Sequence, residues 1–308
     1  MTKSQVSANL AKYSNLDIEI MSKEIITVSG STGNIGHELV NLLSAAESSV
    51  RAVLRNFARA RPLPGVTWLQ ADVSDGRVLD AVLAGTDRLF ILTDNGPGFG
   101  RTQIAMIHAA ERLGVKHVVK LSALGASPHT QSPLAHEHWL AEQALEKSGM
   151  SWTILRPHVF MQNWLGEVAD TVRSEGAIYA AIGAGKVPFI DARDIAAVAA
   201  EALLHPEKHA GQKYVLTGDV AVGYESLAQA ISKATGRDIV YKSLSMEEMR
   251  DRMEKQGIGA EMIDSYLALA AYQKAGGPTE RVSASVKEIL GRPARTIEDF
   301  AKDYRERF

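Results

Sequence analysis

No cysteine occurs among the 308 residues, so the chain forms no disulfide, offers no thiolate nucleophile and holds no cysteine-ligated zinc or iron–sulfur cluster. This fits a reducing compartment, and the cytoplasm is the expected location. Charge of one sign is also lacking. A formal net charge of -2 supplies no general attraction for nucleic acid or anionic lipid, which leaves a small molecule as the expected partner. No apolar run approaches the roughly 20 residues of a membrane-spanning helix. The N-terminal stretch is mixed polar and has no continuous apolar signal-peptide core, so residues 1–22 read as a flexible tail, with Met21 an alternative start.

Several catalytic signatures are absent too. The glycine turn near the N-terminus is not followed by Gly-Lys-Ser/Thr, so it is not a nucleoside-triphosphate loop. Without a Gly-x-Ser-x-Gly elbow, hydrolysis is not expected. His136 and His138 stand two apart on a predicted helix and point to different sides, and a His-Glu-x-x-His motif would need histidine where Leu140 stands. No metal is expected.

What remains is a composition of 45% hydrophobic and 23% charged residues, enough to bury a full core. From Glu24 onward, short apolar runs alternate with helical patterns, the signature of βαβ units and a parallel sheet. Strands are predicted at Ile25 to Ser29, Val50 to Leu54, Thr67 to Gln70, Arg88 to Thr93, His117 to Ser122 and Trp152 to Leu155, with helices between them. The fold class is α/β: a doubly wound parallel sheet of Rossmann type with a second, smaller, mainly helical C-terminal domain. Residues 23–156 and about 186–220 are assigned to the sheet domain, through a return at Val187 to Ile190, the helix Ala192 to Leu204 and Lys213 to Thr217. Residues about 157–185 and 221–308 are assigned to the smaller one. Ser245-Met246-Glu247-Glu248 reads as a helix capping box.

The segment Gly30-Ser31-Thr32-Gly33-Asn34-Ile35-Gly36 lies between a β-branched strand and a helical pattern. Glycine permits the tight turn and a close backbone approach to a pyrophosphate, and the helix beyond offers free N–H groups and the positive end of its dipole. All seven are assigned to dinucleotide binding; a bare strand-to-helix turn is the alternative. At the end of the second strand, where an acidic residue would hold a ribose diol, stands Arg55, with Asn56, Arg59 and Arg61 behind it. An arginine there suits a 2′-phosphate through charge-assisted hydrogen bonds, so NADP is the expected cofactor and NAD the alternative. A solvated basic loop is the alternative for Arg55. Asp72-Val73 after strand three could face the adenine amino group, or Asp72 could only cap a turn.

With these residues in place, the chain resembles the NmrA-like branch of the atypical short-chain dehydrogenase/reductases, and within it the type 2 NAD(P)H:quinone oxidoreductases and the triphenylmethane reductases. The resemblance is carried by Val28 to Gly36, Val53-Leu54-Arg55-Asn56, Lys120-Leu121-Ser122-Ala123-Leu124-Gly125, Trp152 to Pro157 and Phe160-Met161-Gln162-Asn163. Phe189 to Ala196 and Leu290 to Phe300 extend it to the C-terminus. It implies a nicotinamide exposed in an interdomain cleft, bordered by Leu92-Thr93, Ser122-Ala123 and Pro157 to Asn163, with Pro157 and Phe160 against the cofactor.

Ordinary members of the wider superfamily carry Tyr-x-x-x-Lys on the helix after strand five. Here His136 takes the tyrosine position and Leu140 that of the lysine, so the standard proton-transfer motif is missing. His136 could donate a proton near neutral pH, and Ser122 is a second candidate, although a surface histidine is the plainer reading. Phe160 and Trp164 could stack on a flat acceptor or simply pack between domains. The resemblance implies an NADPH-preferring reductase of quinone-like, azo or triarylmethane acceptors, compatible with a homodimer. A non-catalytic NAD(P)-binding redox sensor acting through a protein partner is the competing function.

Overall fold

The computed structural model describes residues 24–96 and 98–308; the tail expected over 1–22 lies outside the described residues. Strands β1 (Ile25–Val28), β2 (Ser49–Leu54), β3 (Val66–Gln70), β4 (Arg88–Ile91), β5 (His117–Leu121), β6 (Ser151–Pro157) and β8 (Gln212–Leu216) form one seven-stranded sheet in the order β3-β2-β1-β4-β5-β6-β8. Every pairing in it is parallel. The order reverses between β1 and β4, which opens a crevice beyond the carboxyl ends of those strands.

Both faces of this sheet are covered, so its central strands read as unbroken apolar runs. In β4, Leu89 and Ile91 turn to one side, toward Met106, Ala110, Ala141 and Leu145 of helices α3 (Phe99–Arg112) and α4 (Pro133–Lys147). Phe90 turns to the other, toward Leu39 and Leu43 of α1 (Asn34–Ala45) and Ile195, Ala199 and Leu203 of α6 (Ala192–Leu204). Helix α2 (Leu79–Leu83) lies on the α3 side, and α7 (Pro206–His209) leads into β8. The strand β8 is the seventh member, one residue earlier than the return expected from Lys213 to Thr217. Val187 to Ile190 makes single bridges, Val187 to Val222 and Ile190 to Phe160, outside the seven-stranded sheet.

A smaller unit holds the parallel pair β7 (Ala177–Ala180) and β9 (Val240–Ser243) with α5 (Glu167–Glu175), α8 (Tyr224–Thr235), α9 (Met246–Lys255), α10 (Ala260–Ala275) and α12 (Ile297–Asp303). Its core is aromatic. The Trp164 ring is 1% exposed and meets Phe189 at 4.7 Å and Phe300 at 5.5 Å, so this indole packs between elements and is not free to stack on an acceptor. The capping box of α9 forms as expected, Glu248 N–H donating to Ser245 Oγ (3.1 Å) and Ser245 N–H to Glu248 Oε2 (2.7 Å).

Helix α11 (Ser285–Leu290) returns to the sheet side, against α6 and β8. The fully buried Asp194 of α6 anchors the following chain by accepting from Arg292 Nη2 and the Arg295 N–H, both at 2.7 Å. A buried carboxylate is tolerated because charge-assisted hydrogen bonds replace its hydration.

Candidate active site

The glycine turn leaves β1 and enters α1 at the reversal in strand order. Gly30 sits at φ +64°, where L side chains are strained, and a Cβ there would lie 2.7 Å from the Leu92 carbonyl oxygen. A Cβ on Gly36 would overlap the Gly30 carbonyl, so that glycine serves close helix-to-strand packing. Gly33 is different: a Cβ would meet only the Gly30 oxygen, at 3.5 Å, and otherwise projects into the cleft. Helix α1 begins with no side-chain cap and no acidic residue in its first turn. Uncapped N–H groups behind a glycine open to solvent are what an anionic pyrophosphate requires, so the residues present fit the dinucleotide.

Ser31 is turned the other way. Its buried hydroxyl donates to Val53 O at 2.6 Å, tying the turn to β2, and only the backbone of this residue is left to face a ligand. Thr32, Gly33, Asn34 and Ile35 line the cleft, whose volume is about 1590 Å³. At one end lie Arg55, Asp72 and Val73. Arg55 Nη1 pairs with Asp94 Oδ2 at 2.9 Å, and Arg59 Nη2 donates to Thr32 O at 3.0 Å. Asp72 accepts from the Ser74 hydroxyl (2.7 Å) and N–H (3.0 Å), which holds its carboxyl below the usual range. Those bonds are a turn capping itself, and the exposed carboxylate still borders the cleft. Leu92 and Thr93 line the floor, with Gln103 Nε2 donating to Thr93 Oγ1 at 3.0 Å.

At the other end, Ser122 and Ala123 after β5 face Pro157 and Phe160 after β6, and α10 closes the opening with Asp264, Ser265, Ala268 and Tyr272. The Ser122 hydroxyl donates to Glu142 Oε1 in a short contact. Glu142 is fully buried, receives Arg156 Nε at 2.9 Å and has Lys213 Nζ at 3.6 Å. Ser122 is therefore held by a carboxylate that is itself neutralised by two cations.

His136 does not reach the cleft wall; its ring lies 5.4 Å from that of Trp139 on the flank of α4. Its neighbour His138 does, beside Ala135 and against the ring of Phe99 at 4.7 Å. Residues two apart on a helix are about 200° around its axis from each other, so only one of the two histidines can face the cleft. Behind His138 stands Lys120, wholly buried in β5, with Nζ 3.2 Å from His138 Nδ1 and 3.1 Å from Leu121 O. Sequence spacing weighs His138 only as a metal ligand and gives Lys120 no role in the site. The available signal was a lysine inside the apolar run Val118-Val119-Lys120-Leu121, since a lysine is rarely fully buried without a reason.

Among the described residues no group of three or more His, Asp or Glu side chains could hold a metal, and no helix is long and apolar enough to cross a membrane.

Comparison with known proteins agrees with this geometry. The chain is 39% identical to an NAD(P)H azoreductase of Xenophilus azovorans over 291 residues, covering 92% of this chain and 99% of the relative. It is 30% identical to quinone oxidoreductase 2 of Escherichia coli, covering 89% and 96%. The crystal structure of the NADPH-dependent quinone oxidoreductase QOR2 from Escherichia coli in complex with NADPH superposes with a TM-score of 0.80 at 28% identity, covering 90% of this chain and 99% of that one. A Citrobacter triphenylmethane reductase shares the fold, with a TM-score of 0.80 at 24% identity. The NmrA-like family model matches residues 22–301, and the chain belongs to that family.

Proposed function

We propose that the protein is an NAD(P)H-dependent reductase, with NADPH preferred, that passes hydride to a quinone-like, azo or triarylmethane acceptor without a Tyr-x-x-x-Lys motif. The observation that carries this reading is the continuity of the cleft. It runs from the uncapped N-terminus of α1, past the arginines of the β2 end, to a wall formed by Ser122, Pro157 and Phe160. The 39% identity to an azoreductase over nearly the whole chain supports the acceptor class.

Nicotinamide, when bound, supplies the hydride from its C4, so the protein's part is orientation and exclusion of water. Gly30 and Gly33 let the backbone approach the pyrophosphate, Arg55 and Arg59 take the 2′-phosphate, and Leu92, Thr93, Ser122 and Ala123 support the far end of the dinucleotide. Pro157 and Phe160 offer an apolar, partly aromatic surface to a flat acceptor.

The test follows NADPH and NADH oxidation with a panel of quinones, azo dyes and triarylmethane dyes. Turnover with at least one class is expected. Tight NADPH binding with no turnover on any of them would replace this reading by the redox-sensor function. A homodimer, a cytoplasmic location and the division into 23–156 plus 186–220 against 157–185 plus 221–308 belong to the same proposal; light scattering, fractionation and limited proteolysis address them in turn.

A further inference from the structure

The reduction of a quinone or an azo bond consumes a proton as well as a hydride, and the chain has no tyrosine and lysine in the usual places to deliver it. The cleft wall nevertheless contains an ionisable group, His138, with a second directly behind it. His138 lines the cleft, and its Nδ1 faces Lys120 Nζ at 3.2 Å. Lys120 is 0% exposed, and among the described residues no carboxylate pairs with it; the nearest candidate, Glu142, is engaged by Ser122, Arg156 and Lys213. A buried ammonium with no counter-ion is expensive unless its proton is readily released.

Resting on the reductase reading above, we propose that His138 and Lys120 form a proton relay for the acceptor, His138 as the catalytic donor and Lys120 as the reservoir behind it. Hydride addition puts an electron pair on an acceptor oxygen or nitrogen. That atom takes the proton of His138 Nε2–H, and His138 Nδ1 takes one from Lys120 Nζ, leaving a neutral amine. Water returns one proton to Nε2 while Nδ1–H returns to Lys120, so each turnover consumes one hydride and one solvent proton.

The electrostatic setting agrees with these roles. Burial brings Lys120 down to about 7, with Glu142 raising it and Arg156 lowering it, which places proton release near neutral pH where general acids work best. Burial and then the Lys120 charge hold His138 at about 3, so the imidazole stays neutral and passes protons without storing them. The charged groups facing the pair are Glu142 on α4 and Arg156 on β6.

Triarylmethane dyes separate a relay from a packing role. A dye cation takes hydride on carbon and becomes neutral, so it needs no proton, whereas quinones and azo dyes do. Wild type and the variants Lys120→Met and His138→Gln are compared with one quinone and one triarylmethane dye, with folding checked by thermal melts and NADPH affinity by calorimetry. The ratio of quinone to dye kcat/KM is expected to fall about 10²-fold in both variants, the scale of general acid catalysis. The wild-type quinone rate should decline as pH rises through about 7, while the dye rate does not. Equal loss on both acceptors with NADPH affinity intact would overturn the relay and leave the reductase reading standing. Wild-type protein inert to every acceptor would overturn both. If neither variant folds, the wild-type comparison decides: parallel pH profiles for quinone and dye would refute the relay.

Discussion

Arg55 and Asp94 reach toward each other from the ends of β2 and β4, Nη1 to Oδ2 at 2.9 Å, across one end of the cleft. Both side chains are largely exposed, at 70% and 63%, so the pair contributes only about 0.2–1 kcal/mol. A hydrogen-bonded arginine–phosphate contact is worth roughly 1.5–3 kcal/mol, enough for a 2′-phosphate to displace the carboxylate. NADPH should therefore bind about ten- to a hundredfold tighter than NADH. Arg55→Ala should remove most of that gap by weakening NADPH alone, and Asp94→Asn should strengthen NADPH by freeing the guanidinium. Calorimetry with both dinucleotides checks this; a substitution that weakened both alike would show Arg55 to be an ordinary loop residue.

Gly33 and Gly36 of the turn should respond differently to substitution. Gly33→Val places its side chain in the open cleft, where only the Gly30 oxygen is near, so the protein should fold and lose dinucleotide binding. Gly36→Ala drives a methyl into the Gly30 backbone and should lower the melting temperature instead. Thermal melts beside calorimetry separate the two outcomes, and full NADPH affinity in Gly33→Val would displace the pyrophosphate from this turn.

His136→Phe should cost less than about tenfold in kcat/KM on quinones, below the usual range for a general acid, because the ring lies on the flank of α4 against Trp139. A loss of about 10²-fold, measured beside an intact melt, would give His136 a chemical role.

Acid should destabilise the protein through His117. This imidazole is held between Ser151 Oγ (2.9 Å) and Thr153 Oγ1 (3.2 Å) in the interior, and burial lowers it to about 4. Between its ordinary value near 6.5 and about 4 the unfolded chain binds the extra proton and the folded one does not, so stability falls as pH falls through that window. In His117→Gln the slope of denaturant-derived stability between pH 6.5 and 4 should be shallower than in wild type. An unchanged slope would shift the acid sensitivity to other groups.

The alternation of strand and helix, and the glycine turn that connects β1 to α1, are local properties of the chain. The central strands read as apolar because both faces of their sheet are covered, and a turn that needs positive φ at Gly30 announces itself by residue type. Arg55 at the end of β2 was legible for the same reason, since its place is counted from the turn. What faced these residues was not. Asp94 arrives opposite Arg55 from a strand whose neighbour in the sheet is β1, and no spacing within either segment reports that approach. Trp164 could have stacked on a ligand until Phe189 and Phe300, brought from distant segments, enclosed it. Two histidines two residues apart must point to different sides of their helix, which the sequence alone establishes. Which of them meets the cleft, and that Lys120 waits behind it, depends on how α4 is rolled against β5, and that roll is set by packing across the whole sheet rather than by any residue of the helix.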